Sequence, residues 1–128
     1  MSLGPEAFLR QAETLASGSE EADWRSAVSR AYYAAFHAAQ RFHASLPMPG
    51  VMPPEGERSG MHAVLAHQLK NPSFPKTDPQ FTKSRQVGIM LASLHALRVT
   101  ADYELDAPVT QKDAANAVAL GARIIGIC

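Results

Sequence analysis

The sequence predicts an all-α protein, an up-and-down antiparallel bundle of four to five helices that forms one domain over residues 1–128. Apolar residues recur at steps of three and four along five separate segments, which is the spacing of one helix face. Proline and glycine separate these segments. No stretch alternates apolar and polar residues as a half-buried strand does. A length of 128 residues suits a single domain, because domains cluster near about 100–150 residues.

The first predicted helix begins at Pro5, since proline fits the opening turn, and ends near Ser17 because Gly18 follows. Ser17 and Glu20 have the spacing of a capping box for a second helix, which runs to about Leu46. This second helix carries two neighbouring apolar stripes, so we expect it to be central and contacted from several sides. The stripes are formed by Trp24, Val28, Ala31, Ala35, Ala38 and Phe42, and by Tyr32, Phe36 and Ala39.

The segment from Pro47 to Gly60 contains four prolines, and we expect it to be an exposed and mobile loop. Ser59 is the predicted cap of a short third helix that ends near Lys70. Its inward residues are expected to be Met61, Val64, Leu65 and Leu69. A second loop with two prolines follows this helix.

Two further helices complete the predicted bundle. Asp78 caps the fourth helix and Pro79 occupies its first position, and the apolar pattern continues to about Glu104. The last helix opens at Thr110 and ends near Ile127. The second and fourth helices are the longest, so we expect them to form the spine of the bundle.

Composition limits the classes of function. The chain has 12 basic and 12 acidic side chains and a net charge of zero, so a contact with phosphate requires a local cluster of charge. Cys128 is the single cysteine, which excludes a disulfide framework and is typical of a reducing compartment. The sequence lacks a signal-peptide pattern and an apolar run of about 20 residues. We therefore predict a cytoplasmic protein without a membrane contact.

The sequence carries no common motif for binding a metal or a cofactor. The sequence has no glycine-rich phosphate loop, no His-Glu-x-x-His and no Cys-x-x-Cys. No two of the five histidines are three or four residues apart, which argues against a metal pair on one helix. We predict no metal and no cofactor, and we expect His43 and His67 to face solvent.

Polar residues interrupt two of the predicted helices at helical spacing, and each set shares one helix face. The sets are Arg30, Tyr33 and His37 on the second helix, and His95, Arg98 and Asp102 on the fourth. A structural interpretation is that the arginine and tyrosines form a buried hydrogen-bond network with a carboxylate such as Asp102 and fix the register of the helices. The spacing also predicts an ion pair between Arg98 and Asp102.

Three segments resemble the HEPN domain family (higher eukaryote and prokaryote nucleotide-binding). Residues 25–39 read RSAVSRAYYAAFHAA and resemble the family's second helix. Residues 98–103 read RVTADY and resemble its Arg-x-x-Ala-Asp-Tyr segment, and residues 60–64 with His62 resemble its short middle helix. The resemblance covers about residues 5 to 127, and the first two segments together make a fairly specific pair.

The resemblance implies a helical bundle that commonly forms a homodimer with a cleft along the paired helices. Many family members are metal-independent ribonucleases, often toxins of toxin–antitoxin pairs, and others act beside a minimal nucleotidyltransferase partner. Their reaction uses an arginine and a histidine in an Arg-x(4–6)-His motif. Arg98 matches the arginine, but Tyr103 stands at the histidine position, and tyrosine with its ordinary pKa near 10 is a poor acid–base group at neutral pH.

Three functional hypotheses follow. The first is a nucleotide- or RNA-binding and interaction module of a toxin–antitoxin or nucleotidyltransferase-associated system. The second is a metal-independent ribonuclease toxin that uses Arg98 with Tyr103 or His95. The third is a structural adaptor with a buried polar network. Residues expected to line the cleft or assist it in the first hypothesis are Arg30, Tyr33, His37, His95, Arg98, Asp102 and Tyr103.

Overall fold

The computed structural model describes residues 4–128, and the regular structure in this range is entirely helical, which confirms the predicted fold class. Five α-helices are joined by loops, and a single 3₁₀ turn at Glu55–Glu57 lies in the longest loop. The helices are α1 (Pro5–Ala16), α2 (Glu21–Ala44), α3 (Met61–Lys70), α4 (Pro79–Tyr103) and α5 (Gln111–Ile127). None of these helices is long and apolar enough to cross a membrane.

Contacts between helix ends show the up-and-down arrangement. Arg25 in the first turns of α2 donates to the carbonyl of Ala101 at the end of α4 over 3.0 Å, so these two helices are antiparallel. Gln111 at the start of α5 donates to the carbonyl of Ala16 at the end of α1 over 3.2 Å, so α1 and α5 are also antiparallel. Helices α1, α2, α4 and α5 therefore form an antiparallel four-helix bundle.

Helix α2 lies at the centre of this bundle and packs against α1, α4 and α5. Both of its predicted apolar stripes are buried except for Trp24, which is half-buried. Small residues allow the close approach, because a Cβ added at Gly121 of α5 would lie 3.3 Å from the carbonyl oxygen of Ala31. The prediction of a central, broadly contacted second helix is confirmed.

Helix α3 lies along the outside of α4, and two small residues of α4 make this contact. The hydroxyl of Ser84 donates to the carbonyl of Leu69 over 2.7 Å. A Cβ added at Gly88 would lie 2.7 Å from the amide nitrogen of Lys70, so only glycine leaves room for α3 at this distance. The first turn of α3 is thereby held beside the middle of α2. Met61 was predicted to point inward, but it is 64% exposed.

The predicted start of α4 is confirmed by its cap. The Asp78 carboxylate accepts a hydrogen bond from the amide of Gln80 over 2.9 Å, and Pro79 follows it. Helix α5 starts with a full capping box, in which Thr110 and Asp113 bond to each other's backbone amides. At both helix starts, these side chains accept hydrogen bonds from backbone amides that have no partner within the helix.

Two other predicted caps are wrong. The hydroxyl of Ser17 donates to the carbonyl of Thr14 over 2.7 Å, so it serves the end of α1 and does not cap α2. Glu20 is the N-cap of α2 and makes no side-chain cap bond. Gly60, not Ser59, is the N-cap of α3, and its φ of +114° is a conformation that a residue with a Cβ rarely adopts.

The loop between α2 and α3 is anchored at its middle, which corrects the expectation of a wholly exposed segment. Gly50 is buried, its amide donates to Nε2 of His43 over 3.0 Å, and its carbonyl accepts from Gln68 over 3.1 Å. The next amide, that of Val51, donates to the carbonyl of Asn71 over 2.8 Å. His43 is therefore a half-buried structural residue and does not simply face solvent.

Candidate functional site

An open cavity of about 390 Å³ lies on the exposed side of α2, where α3 and α4 approach it. Its volume is within the range of small-molecule sites, about 300–1,000 Å³. The walls combine aromatic rings with two guanidinium groups. The lining residues are Ser29, Arg30, Tyr32, Tyr33, Phe36 and His37 of α2, Met61 and His62 of α3, and Arg98 of α4.

Arg98 is held in place by a carboxylate on its own helix. Its Nε lies 2.8 Å from Oδ2 of Asp102, which confirms the predicted ion pair. The hydroxyl of Ser29 donates to the same Oδ2 over 3.2 Å and so ties the pair to α2. The ion pair uses Nε–H, whereas a guanidinium carries four more N–H bonds on its terminal nitrogens. Arg98 therefore retains donors for an anionic ligand.

Three aromatic side chains from three helices meet beside Arg98. The hydroxyl of Tyr32 and Nδ1 of His62 are 2.7 Å apart, within hydrogen-bond distance. The rings of His62 and His95 stack, with centroids 5.5 Å apart and planes 11° from parallel. The ring of Tyr32 lies between α3 and α4 and is 5.3 Å from that of His95. The cluster joins α2, α3 and α4 at the floor of the cavity.

The surroundings favour the neutral forms of these groups. Burial raises the pKa of Tyr32, and the positive charge of Arg98 lowers it only in part, so the phenol remains protonated and can donate to Nδ1 of His62. Burial lowers the pKa of His62, and the charges of His95 and Arg98 lower it further. Burial and then Arg98 lower the pKa of His95 as well. Both imidazoles are therefore neutral at pH 7.

Stability is expected to fall as the pH drops below the ordinary histidine pKa of 6.5, because the pKa values of His43, His62 and His95 are all lowered in the folded chain. In this range the unfolded chain binds more protons than the folded chain, so stability is complete above pH 6.5 and is lost as pH decreases. Thermal unfolding followed by circular dichroism between about pH 7.5 and pH 5.5 measures this loss. The variant His62→Asn should lose less stability than the wild-type chain over this pH range. A wild-type unfolding midpoint that stays constant or rises on acidification would contradict the expectation.

The structure brings together four of the predicted site residues, since Arg30, Tyr33, His37 and Arg98 all line the cavity. Asp102 lines a neighbouring hollow of about 470 Å³ that shares Ser29 and Arg30 with it. His95 lies behind the cavity against His62. Tyr103 is 66% exposed and is not part of the lining, although its ring centroid is 5.3 Å from Cζ of Arg98. Tyr103 therefore flanks the arginine from outside.

The structural interpretation expects Arg30 and Tyr33 in a buried network, and this part of it is wrong, whereas Tyr32 is buried and hydrogen-bonded to His62. Arg30 is exposed and Tyr33 is 42% exposed. Ser29, Asp102 and Arg98 form a network of side chains between α2 and α4, and the side chains of Arg98 and Asp102 are 25% and 26% exposed. The exposed arginine and tyrosine thus remain accessible to a ligand.

His62 and Ser29 belong to the site, and the site prediction did not include them. The position of His62 depends on how α3 lies on α4, and the apolar pattern of α3 does not give that position. Ser84 and Gly88 of α4 are the signal that could have given it. Two small residues four apart on one helix face indicate close contact with another helix, and here that helix is α3.

Within residues 4–128 no group of three or more histidine, cysteine, aspartate or glutamate side chains is placed to hold a metal ion. The fold and the site together define an antiparallel helical bundle with an arginine- and aromatic-lined cavity on one exposed face. No protein-family model, no curated protein and no solved structure matches this chain.

Proposed function

We propose that the cavity binds a nucleotide, with its phosphate at the arginines and its base against the aromatic wall. The chain would then act as a HEPN-type nucleotide- or RNA-binding module, in a toxin–antitoxin or nucleotidyltransferase-associated system. One observation carries the proposal: Arg98, Arg30 and the ring of Tyr33 line the same open cavity. This pairing of groups suits a ligand that has both an anionic and a flat aromatic part.

The arginines supply the phosphate side of the site. A guanidinium presents its N–H groups as a planar fork that matches phosphate oxygens. Asp102 already orients Arg98, so the arginine side chain loses less conformational freedom when a ligand binds. The carboxylate offsets one positive charge, and Arg30, which lines both adjoining hollows, supplies a second. The local balance therefore favours an anion although the whole chain is neutral.

The ring of Tyr33 supplies the base side of the site. It is held by edge contacts with the ring of Phe8 at 4.8 Å and with that of His37 at 4.4 Å. These neighbours fix its orientation, while 42% of the residue remains exposed to solvent. A stacked base on such a ring contributes about 1–3 kcal/mol.

Arg98→Gln is expected to weaken the binding of uridine monophosphate at least about tenfold, because a hydrogen bond to a charged group contributes about 1.5–3 kcal/mol. Isothermal titration calorimetry measures the change. Arg85→Gln is the matched control, since Arg85 is an exposed arginine of the same helix outside the cavity lining. Equal loss in both variants, or no binding by the wild-type chain, would overturn the proposal.

The proposal also accommodates the partners and the reaction that the resemblance implies. A homodimer, a minimal nucleotidyltransferase partner and a ribonuclease reaction of Arg98 with Tyr103 or His95 are each compatible with this proposal. For the ribonuclease reaction, the geometry favours His95 over Tyr103. His95 is a neutral imidazole stacked on a residue of the cavity wall, whereas Tyr103 lies outside that wall.

A further inference from the structure

A second hollow adjoins the cavity at two residues of its aromatic wall. It has a volume of about 290 Å³ and lies between α1 and α2. Its lining consists of Pro5, Phe8, Tyr33, His37 and Arg41. Tyr33 and His37 line both hollows, so the two spaces adjoin at these two rings.

The polar residues of α2 follow the same line as the two hollows. At about 100° per residue, Arg30, Tyr33, His37 and Arg41 fall within an arc of about 80° on the helix surface. Arg30 and Arg41 are three turns apart, so their Cα atoms are separated by about 16 Å along the axis. An exposed arginine therefore stands at each end of a stripe whose middle is aromatic.

We infer that α2 binds a single strand of nucleic acid lengthwise, with one phosphate at Arg30 and Arg98 and a later one at Arg41. This inference rests on the proposed function and extends the site from one nucleotide to several. A stacked strand rises about 3.4 Å per nucleotide, so 16 Å corresponds to about five nucleotides, and to fewer if the strand is stretched. The ring of Tyr33, which belongs to both hollows, is the stacking platform between the two phosphates.

The aromatic wall favours a nucleic-acid strand over an acidic peptide. A peptide carboxylate would use the arginines but would leave the exposed ring of Tyr33 without a flat partner. Every base has a flat face that stacks on tyrosine, and stacking with backbone charge pairing is the common mode of single-strand recognition.

The test compares uridine monophosphate, hexauridylate and hexaglutamate on the full chain by calorimetry. Hexauridylate should bind at least about tenfold more tightly than the monophosphate, through the added phosphate contact and stacking. Arg41→Gln should remove most of this gain, whereas Arg85→Gln should leave it in place. Arg41→Gln should also reduce the dependence of log Kd on log salt by about 0.7, the value for one phosphate of a single strand.

The outcomes of this test separate the strand inference from the single-nucleotide site. If the monophosphate binds as tightly as hexauridylate, or if Arg41→Gln leaves hexauridylate binding unchanged, the strand inference is wrong while the single-nucleotide site stands. If hexaglutamate binds more tightly than hexauridylate, the inference is also wrong, because charge alone then explains the site. If neither uridine monophosphate nor hexauridylate binds, both the proposed function and the strand inference are wrong. Arg85→Gln serves again as the control for loss of one positive charge.

Discussion

Gly50→Ala is expected to lower the free energy of unfolding by about 3 kcal/mol, because overpacking and lost buried hydrogen bonds act together. Gly50 lies against the backbone of α3, and an added Cβ would overlap the carbonyl group of Gln68 and lie 2.7 Å from its Cα. The backbone there cannot move freely, since the amide of Gly50 is bonded to His43 and its carbonyl to Gln68. The methyl group must therefore break these bonds or push α3 outward.

Urea denaturation followed by circular dichroism measures this loss. Gly56→Ala is the matched control in the same loop, because nothing lies within 4 Å of a Cβ added there. Its free energy of unfolding should remain within about 0.5 kcal/mol of wild type. Similar values for the two variants would show that the loop is not held against α3.

Arg25→Ala is expected to lower the free energy of unfolding by about 3 kcal/mol, because hydrogen bonds of a charged, largely buried donor each contribute about 1.5–3 kcal/mol. Arg25 projects from α2 to the end of α4, and its side chain is only 12% exposed. It donates to carbonyl groups of the last turn of α4 and of the loop that follows. The acceptors are Thr100, Ala101, Glu104, Leu105 and Ala107. The carbonyl of Thr100 also accepts from the amide of Glu104, and that of Glu104 from the amide of Ala107. The guanidinium adds to these backbone bonds and acts as a C-terminal cap in trans.

Arg25→Lys should recover only part of this stability, since one ammonium group cannot reach so many acceptors at once. Arg85→Ala is the control, because Arg85 is exposed on α4, and its change should remain within about 0.5 kcal/mol. A change of that small size in Arg25→Ala would contradict the capping role. The same variant should also weaken nucleotide binding, because Ala101 and Thr100 lie in the turn that carries Asp102.

Much of the fold could be predicted because local patterns decide it. Helix α4 is specified at its start by Asp78 and Pro79, whose cap and fixed φ act within one turn. Helix α2 is specified by two apolar stripes whose residues recur at steps of three and four. In a strand, where side chains alternate between two faces, these residues would not share one face. The predicted caps at Ser17 and Ser59 are wrong because a different local bond or backbone conformation is formed there. Ser17 closes α1, and Gly60 begins α3 with a positive φ.

The candidate site could be predicted only in part, because it depends on contacts between distant segments. Arg98 and Asp102 are one helical turn apart, so their ion pair follows from spacing alone. His62 reaches Tyr32 only because Gly88 lets α3 lie close to α4. Arg41 entered no prediction, because the hollow that it lines exists only where α1 packs on α2.

The most direct test of the proposed site is a titration of the isotope-labelled chain with uridine monophosphate, followed by amide and side-chain NMR shifts. We expect saturable shifts at Tyr33, His37, His62 and Arg98, which line the cavity. Helix α5 faces α1, α2 and α4 and does not line it, so its amides should not change. Shifts concentrated on α5, or none at saturating nucleotide, would contradict the account.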